Sequence, residues 1–314
     1  MAYNLKSILD KEGPLFDTDQ RKISYYIEEG EWEVTVNKGK KNEKVFTTFK
    51  HDKRHINFIE KTFRELDRAL PVKFIESFDH NDADISIYFV DTNDDVEWDN
   101  ETYGMTYWED DYIDILWQDA DGKKRTFTND DKMTLVHEIG HALGIDHPDG
   151  DGENPDFDTD ITVMSYNKGR EGWPSWYQDL DLEALHYLWG AVIEGSNKRD
   201  RLSGTNGDDE IYGHGDDDRI NAKAGDDIIH PGDFGKNKDI ITTGSGEDVV
   251  VLDEDSYVYI TDFKTGSDEI DVTALSNLDT WTKGNSTYIG NDDYIYAILK
   301  GKNHDLIYED GFFF

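Results

Sequence analysis

Three histidines and one glutamate in a short segment have the types and spacing of a metal site with a general base, H-E-x-x-H-x-x-G-x-x-H. His137 and His141 are four residues apart, so on a helix both imidazoles leave one face, with Cβ atoms about 6 Å apart. That separation suits two positions on one tetrahedral zinc ion. Gly144 lets the helix end and the chain turn back, so that His147 can supply a third ligand. Glu138 lies beside the metal position, where it can take a proton from a water molecule that zinc activates.

The non-functional alternative is that each histidine is an ordinary surface or core residue, which is the usual explanation for a single histidine. Five fixed identities at this spacing arise by chance in about one in 10⁴ chains of this length. Leu135, Ile139 and Leu143 share the opposite helix face and would anchor the helix in a core. We therefore interpret the segment as a zinc site on a buried helix.

The helix that carries the motif is predicted over Asn129–Leu143, with Thr128 as N-cap and Asp131 three residues later as a weak capping box. Other elements follow from hydrophobic spacing and from turn residues. They are strands at Ile23–Ile27, Trp32–Val36, Asp84–Val90, Met105–Trp108 and Ile113–Trp117, and helices at His51–Leu70 and Gln178–Gly190. Met105–Trp108 is our candidate for an edge strand beside the metal site.

Composition changes near Ala191–Gly195, and a nonapeptide repeat follows. Gly204–Tyr212, Gly213–Asn221 and Ala222–His230 align without gaps, with Asp at position six and Ile at position eight. The pattern resumes with Asp239 and Ile241 after an insertion near Pro231 and continues with Asp248 and Val250. It resembles the calcium repeat of RTX proteins. A flexible Gly/Asp linker is the alternative, which five Asp-x-apolar units in register disfavour. Candidate calcium ligands, supplied as carboxylates and turn carbonyls, are Asp209, Asp218, Asp227, Asp248, Gly207 and Gly225.

Composition excludes several classes of protein. The formal net charge of −38 disfavours nucleic acids and anionic membrane surfaces as partners. The absence of cysteine excludes disulfides, thiolate metal sites and a cysteine nucleophile. Aromatic residues make up 13% of the chain, which is enough to build a core and disfavours disorder. No segment has the length of a transmembrane span, and Met1–Gly13 lacks the apolar region of a secretory signal.

The zinc motif resembles that of the metzincin metallopeptidases, which also carry a methionine turn below the metal. Val163-Met164-Ser165-Tyr166 lies downstream in the expected order. Pro148 after the third histidine, together with this V-M-S-Y turn, resembles the serralysins, bacterial zinc proteases secreted with an RTX β-roll. Three further segments are similar to serralysin features. They are the helix ending Tyr187–Gly190, the segment Tyr259–Thr273, which resembles the strand pair after the roll, and the end Glu309–Phe314, in which acidic residues precede apolar ones.

The resemblance implies an α+β metzincin domain, with a mixed twisted sheet and an active-site helix, followed by a parallel β-roll or β-sandwich. It implies a short propeptide or N-terminal arm at 1–20, a catalytic domain at 21–192 and a calcium-binding domain with a C-terminal secretion signal at 193–314. His137, His141 and His147 would be zinc ligands, with Tyr166 as a further ligand that swings away to bind the oxyanion. Glu138 would be the general base. Met164 would be structural, and a buried structural tyrosine is the alternative role for Tyr166.

The activity that the resemblance implies is a secreted zinc endopeptidase that cleaves extracellular proteins, with Zn²⁺ and Ca²⁺ as cofactors. Export through a type I secretion apparatus is expected. Small periplasmic inhibitor proteins often bind serralysins, so the resemblance also implies such a partner. Two other interpretations stay open. One is a non-catalytic RTX surface or adhesion protein with a vestigial metal site, and the other is a peptidase that its N-terminal segment holds inactive. The acidic loop between His147 and Met164 either binds another Ca²⁺ or is merely solvated.

Overall fold

The structure is a computed structural model, and it describes residues 4–10, 22–90, 102–109, 111–119, 126–232, 238–301 and 304–314. Its contacts divide the chain into two compact units. The first consists of Met1–Arg68 and Val72–Leu188, and the second consists of Trp189–Phe314 with Ala69–Pro71. The fold is a mixed α+β fold that contains several sheets with parallel strands.

A mixed sheet forms the framework of the first unit. Its strands in the described residues are β1 (Lys22–Ile27), β2 (Glu33–Val36), β3 (Lys44–Phe49), β4 (Lys73–Glu76), β5 (Ile85–Val90), β6 (Gly104–Trp108) and β7 (Ile113–Trp117). The central strand β5 pairs with β7 along one edge and with β1 and then β3 along the other. Strand β6 pairs antiparallel with β7 alone among the described strands, so the prediction of an edge strand here is confirmed.

Two strands of this sheet were not expected from the sequence. Strand β4 buries only Phe74 of its four residues, so it has no alternating pattern to reveal it. Strand β3 alternates, but charged residues and turns surround it. Strand β5 also differs from expectation. All six of its residues are buried, because both faces of a central strand are covered.

Three α-helices complete the described part of the first unit: α1 (Lys53–Ala69), α2 (Asn129–Ala142) and α3 (Asp179–Trp189). Helix α1 packs on the sheet through its apolar face, where Phe63 stacks on Tyr25 with ring centroids 4.0 Å apart. The predicted capping box of α2 is confirmed, because Thr128 and Asp131 exchange side-chain and backbone hydrogen bonds. Gly144 has φ +93°, the left-handed exit that a glycine permits.

The second unit contains two sheets, which consist mostly of short strands. The strands are β8 (Val192–Glu194), β9 (Arg201–Ser203), β10 (Glu210–Tyr212), β11 (Arg219–Asn221), β12 (Ile228–His230), β13 (Asp239–Thr242), β14 (Val249–Val251), β15 (Val258–Ile260), β16 (Glu269–Asp271), β17 (Asp279–Thr282), β18 (Ser286–Gly290), β19 (Ile295–Lys300), β20 (Tyr308–Glu309) and β21 (Phe312–Phe313). Within the described residues, one sheet has the order β20-β21-β16-β14-β12-β10-β8 and the other has β17-β18-β19-β15-β13-β11-β9. The successive short strands β8–β16 contribute to the two sheets in alternation before β17–β19 extend one sheet and β20 and β21 extend the other. This alternation of parallel strands is a β-roll.

Apolar residues of the two sheets meet inside the roll. Each nonapeptide contributes its eighth residue to this core, as Ile211, Ile220 and Ile229 do. The segment predicted as a strand pair forms β15 and β16, which lie in opposite sheets and do not pair with each other. The prediction of a pair was wrong because the roll continues through this segment. The predicted secretion signal ends in β21, which pairs antiparallel with β16.

None of the helices in the described residues has the length and apolar character that a transmembrane span needs.

Candidate functional site

Helix α2 presents two histidines side by side, and the turn after it brings the third to them. The Nε2 atom of His141 lies 3.1 Å from that of His137 and 3.3 Å from that of His147, and the remaining pair is 3.2 Å apart. Nitrogen ligands of tetrahedral zinc lie roughly 3.3 Å apart when each Zn–N bond is about 2.0 Å long. In the described part of the chain, these histidines are the one group of three or more His, Asp or Glu ligand atoms that converge in this way.

The other ring nitrogens of two of these histidines define which tautomer is present. His137 Nδ1 lies 2.8 Å from the Val163 carbonyl oxygen, and His141 Nδ1 lies 3.1 Å from that of Ile145. A carbonyl oxygen only accepts, so each Nδ1 carries the proton and each Nε2 presents a lone pair. Converging lone pairs repel one another, and a cation bound between them removes that repulsion. Histidine metal ligands have this arrangement, so the residues present fit zinc.

Burial keeps these imidazoles neutral. Desolvation lowers the pKa of His137 well below its usual value and lowers the pKa of His141 to about 3. The pKa of His147 is also lowered by burial, against the opposing effect of the Asp146 carboxylate. Neutral imidazole is the form that binds a metal ion, so no proton has to leave before zinc binds near pH 7.

Glu138 is buried beside the histidines and is held by the edge strand β6. Its Oε2 accepts a 2.7 Å hydrogen bond from the Thr106 hydroxyl. Burial raises the pKa of Glu138 to about 8, and a zinc cation held by the three histidines would lower it towards the charged form that a general base needs. Gly104 makes the close approach of strand and helix feasible, because a Cβ at this position would lie 2.6 Å from Glu138 Oε1. Thr106 lies in the strand that was predicted beside the site, but its contact with Glu138 and that of Gly104 were not predicted, because each residue lies more than 30 positions from Glu138.

The segment around Met164 lies against α2, as expected of a methionine turn. Met164 is fully buried, and a Cβ added at Gly140 would lie 3.1 Å from its sulfur. The buried Asp181 carboxylate holds this turn, because it accepts hydrogen bonds from the Thr162 hydroxyl and from the Val163 amide at 2.9 Å. The turn thus fixes the Val163 carbonyl that orients His137.

Tyr166 lies beside the three histidines, with its side chain about half exposed. Its ring centroid is 4.8 Å from that of His147 and 5.6 Å from that of His137. Its backbone N–H donates to the Gly152 carbonyl oxygen at 2.7 Å, and a Cβ at Gly152 would lie 2.5 Å from the Tyr166 ring. The exposure of 53% disagrees with the alternative of a buried structural tyrosine. Its role as a ligand and oxyanion donor stays a prediction.

An N-terminal arm, residues 4–10, pairs with the chain that leads to the third histidine. The Asp146 N–H donates to the Ile8 carbonyl at 2.7 Å, and the Asp10 N–H donates to the Gly144 carbonyl at 3.0 Å. The Ile8 side chain is fully buried. These contacts hold the segment before His147 from outside the metal site. The remaining residues of the predicted propeptide or arm, 1–3 and 11–20, lie outside the described part.

Loosening this arm is therefore expected to weaken zinc binding. Replacing Ile8 with alanine removes a buried anchor, a change that costs about 2–5 kcal/mol when a core side chain is truncated. We expect the zinc dissociation constant of the I8A variant to rise about tenfold, measured by competition with a chromophoric chelator. Lys6→Ala changes an exposed residue of the same arm and serves as control. Equal zinc affinity for both variants would show that the arm does not position His147.

Three carboxylates of the acidic loop after His147 accept hydrogen bonds from backbone amides. Asp151 accepts from the Glu153 amide and Asp158 accepts from the Asp160 amide, so both form turns of the loop itself. Asp160 accepts from the amides of Arg170 and Glu171, beyond the loop. These contacts favour the solvated interpretation of the loop over a further calcium site.

Two ladders of buried aspartates run along the β-roll. In the first, the Oδ1 atoms of Asp209, Asp227 and Asp248 accept from the amides of Ala191, Asp209 and Asp227, respectively. In the second, Asp218 accepts from the Asp200 amide, and Asp239 accepts from the Asp218 amide. The predicted ligands thus separate between two ladders, with Asp218 alone in the second. The structure adds Asp239, which the sequence placed in the repeat register but not among the ligands.

The second oxygens of these carboxylates identify where a cation fits. The Oδ2 atoms of Asp218, Asp227 and Asp248 are buried and have no hydrogen-bond partner within the described residues. Burial, with a smaller contribution from the neighbouring Asp209 carboxylate, raises the pKa of Asp227 to about 8. Gly225 stacks on Gly207, because a Cβ at Gly225 would lie 2.5 Å from the Gly207 carbonyl oxygen. Unpaired carboxylates and turn carbonyls are the oxygen donors that Ca²⁺ prefers.

The roll extends beyond the repeats that the sequence revealed. Gly195–Ser203 is a nonapeptide with Asp200 at position six and Leu202 at position eight, which periodic comparison could have found. Asp268 and Ile270 hold the same positions after β15, and Asp268 Oδ1 is buried without a partner in the described residues. In these two repeats, basic and bulky residues replace glycines, and these replacements make the repeats hard to recognise in the sequence.

Residues 194–229 match the family described as RTX calcium-binding nonapeptide repeat (4 copies). No curated protein matches the chain. A subunit of the Azotobacter vinelandii mannuronan C5-epimerase is similar over 37% of this chain and 78% of that one, with 25% identity and a TM-score of 0.31. The GM1-bound ECX AB5 holotoxin is similar over 60% of this chain and 90% of that one, with 11% identity and a TM-score of 0.35. These TM-scores do not identify a shared fold. The family match supports calcium binding by the repeats.

Proposed function

We propose that this chain is a secreted zinc-dependent endopeptidase of the serralysin type, in which an RTX β-roll binds calcium. The observation that carries the proposal is the convergence of three Nε2 lone pairs beside the buried Glu138 carboxylate. The substrates would be extracellular proteins, and RTX repeats are typical of secreted proteins. Export by a type I secretion apparatus and encounter with a small periplasmic inhibitor are parts of the same proposal.

The proposal gives a role to each group around the three histidines. Zinc, when bound, would polarise the scissile carbonyl and lower the pKa of a water molecule. Glu138 would take the proton of that water and then pass it to the leaving amine. Edge strand β6 would pair with an extended peptide along the edge that faces away from β7, which positions the substrate with little side-chain demand. The Tyr166 hydroxyl would donate a hydrogen bond to the oxyanion.

Thr106 is expected to act on catalysis by positioning Glu138. Thr106→Val removes the 2.7 Å hydrogen bond and leaves the shape of the side chain unchanged. We expect kcat to fall about tenfold, since a hydrogen bond to a charged group contributes roughly 1.5–3 kcal/mol. KM is expected to change little, because the buried Thr106 hydroxyl contacts Glu138 and the substitution leaves the β6 backbone, which would pair with the substrate, unchanged. Thr106→Ser keeps the hydroxyl and is expected to retain activity, so a loss common to both variants would argue for a structural role.

A cleavage assay tests the proposed function. Casein would be incubated with the zinc-loaded chain in millimolar Ca²⁺, with and without 1,10-phenanthroline. Cleavage that the chelator stops and that added Zn²⁺ restores is the expected result. His147→Ala is expected to lower both bound zinc and cleavage, whereas His80→Ala, an exposed histidine outside the site, is expected to change neither. Cleavage that persists in the chelator would contradict a zinc mechanism.

A second candidate is a non-catalytic RTX surface or adhesion protein with a vestigial metal site. The observation in its favour is that the family match is confined to the calcium repeats at 194–229. It predicts a folded, calcium-loaded protein that binds zinc and cleaves neither casein nor gelatin.

A further inference from the structure

A cavity of about 620 Å³ opens onto the three histidines of the first unit. Its walls combine carboxylates with exposed aromatic rings. We propose that this cavity selects peptides that carry lysine or arginine side chains next to the scissile bond. The inference rests on the proposed peptidase function and adds a substrate class to it.

The charge of the cavity wall has one sign. Asp130, Asp146 and Glu153 line the cavity together with Glu138, and its lining in the described residues includes no lysine or arginine. A cleft lined by one sign of charge focuses the electrostatic field and concentrates ligands of opposite charge. The chain as a whole carries a formal net charge of −38, so its long-range field attracts the same cationic substrates.

Two of these carboxylates have no internal neutralising partner. The side chains of Asp130 and Glu153 make neither an ion pair nor a hydrogen bond with the described residues, and both residues are exposed. Asp146 differs, because its side chain accepts a 2.7 Å hydrogen bond from the His147 amide and so holds the backbone at the third histidine. The two unpaired carboxylates are therefore the groups that remain available to a bound cation.

These two carboxylates reach the cavity from different elements. Asp130 lies in the first turn of α2, seven residues before His137, which places it about 10 Å away along the helix axis. Glu153 lies in the loop after His147 and follows Gly152, whose carbonyl accepts the Tyr166 amide. A peptide that enters the cavity thus meets carboxylates from two separate parts of its lining.

Aromatic rings complete the recognition of long cationic side chains. Tyr103, Trp108 and Trp173 line the cavity, and Trp108 is 42% exposed. Lysine and arginine lay their aliphatic stems on apolar surfaces and place their charge over aromatic faces. Trp173 already does this within the chain, because Lys168 Nζ lies 5.3 Å from its ring centroid. Acidic side chains find no comparable partner in this lining.

Cleavage of a proteome-derived peptide library tests the inference, with the zinc- and calcium-loaded full chain and mass spectrometry of the products. We expect lysine and arginine to be enriched about threefold or more within three residues of the cleaved bonds, with aspartate and glutamate depleted. The combined Asp130→Asn and Glu153→Gln variant is expected to lose this preference. Glu31→Gln, at an exposed residue that does not line the cavity, is the matched control. Raised ionic strength should reduce the preference of the wild type.

A binding measurement separates this inference from the proposed function. Two rhodamine-labelled decapeptides, identical except for three lysines or three glutamates, would be titrated with zinc-loaded Glu138→Gln protein by fluorescence anisotropy. The lysine peptide is expected to bind about tenfold more tightly, and the added D130N and E153Q changes should remove that difference.

Each pattern of results decides one of the two ideas. Cleavage with no preference for basic residues, or a preference that survives the double substitution, overturns the substrate class and leaves the peptidase intact. Selective binding of the lysine peptide with no cleavage by the wild type supports cation recognition and overturns the peptidase. Equal binding of both peptides overturns the inference whatever the cleavage result.

Discussion

Replacing Glu138 with glutamine is expected to lower kcat by about 10³-fold, with zinc and calcium content unchanged. Glutamine has the size of glutamate and can still accept the hydrogen bond of the Thr106 hydroxyl. It cannot take a proton, so the water that attacks the peptide bond loses its base. A positioned general base contributes roughly 10²–10⁴ to a rate. The measurement is kcat on a quenched fluorescent peptide, with metal content determined on the same sample.

The matched control is again Glu31→Gln, which removes one carboxylate from an exposed position of the same unit. Because Glu138 is buried, its substitution also removes a desolvated group, so stability is expected to hold or to rise. Full activity of a folded E138Q protein would remove Glu138 from the mechanism. Loss of bound zinc in this variant would instead assign Glu138 to the construction of the metal site.

Removal of calcium is expected to unfold the repeat segment of the second unit. Four buried carboxylate oxygens there have no hydrogen-bond partner among the described residues, and each costs free energy unless a cation pairs with it. At a calcium concentration of 100 times the dissociation constant, each filled site adds about 2.7 kcal/mol to folding. Circular dichroism near 218 nm is expected to show a large calcium-dependent gain of strand structure, and Mg²⁺ is not expected to replace Ca²⁺.

Substitution of single aspartates tests individual calcium sites in the same titration. Asp227→Asn keeps the shape of the side chain but halves the combined negative charge of Asp227 and Asp248. The calcium concentration at the midpoint of the folding transition is therefore expected to rise severalfold. Asp255→Asn changes an exposed carboxylate of the same unit and should leave the midpoint unchanged. A strand signal that does not depend on calcium would contradict the proposed folding switch.

Acid is expected to substitute in part for calcium. Burial raises the pKa of Asp227 to about 8, of Asp239 to about 7 and of Asp218 to about 6. A carboxyl whose folded pKa exceeds its unfolded value stabilises the fold when protonated, below about pH 4, and loses that contribution as pH rises through the folded pKa. The calcium-free chain is therefore expected to be more stable to urea at pH 5 than at pH 8. The reverse order would contradict the assigned shifts.

Local chemistry explains why much of this protein was predictable. The i, i+4 spacing of His137 and His141, the cap at Thr128 and the exit at Gly144 depend on neighbours within one or two helical turns. The register of the nonapeptides depends on a repeat, so Asp209, Asp218 and Asp227 were identified before any coordinates. Strands with clear alternation were found, and β3 and β4 were missed because their patterns are short or interrupted.

The sequence by itself determined which residues can hold zinc and calcium, because those residue types stand at spacings that local geometry converts into shared faces. Only the tertiary structure decided what surrounds them. Thr106 reaches Glu138 across 32 residues, and Ile8 reaches Asp146 across more than 130, through contacts that no local spacing encodes. The same holds for the unpaired oxygens of the roll. A carboxylate is known to be without a partner only when every neighbour that packing brings to it is known.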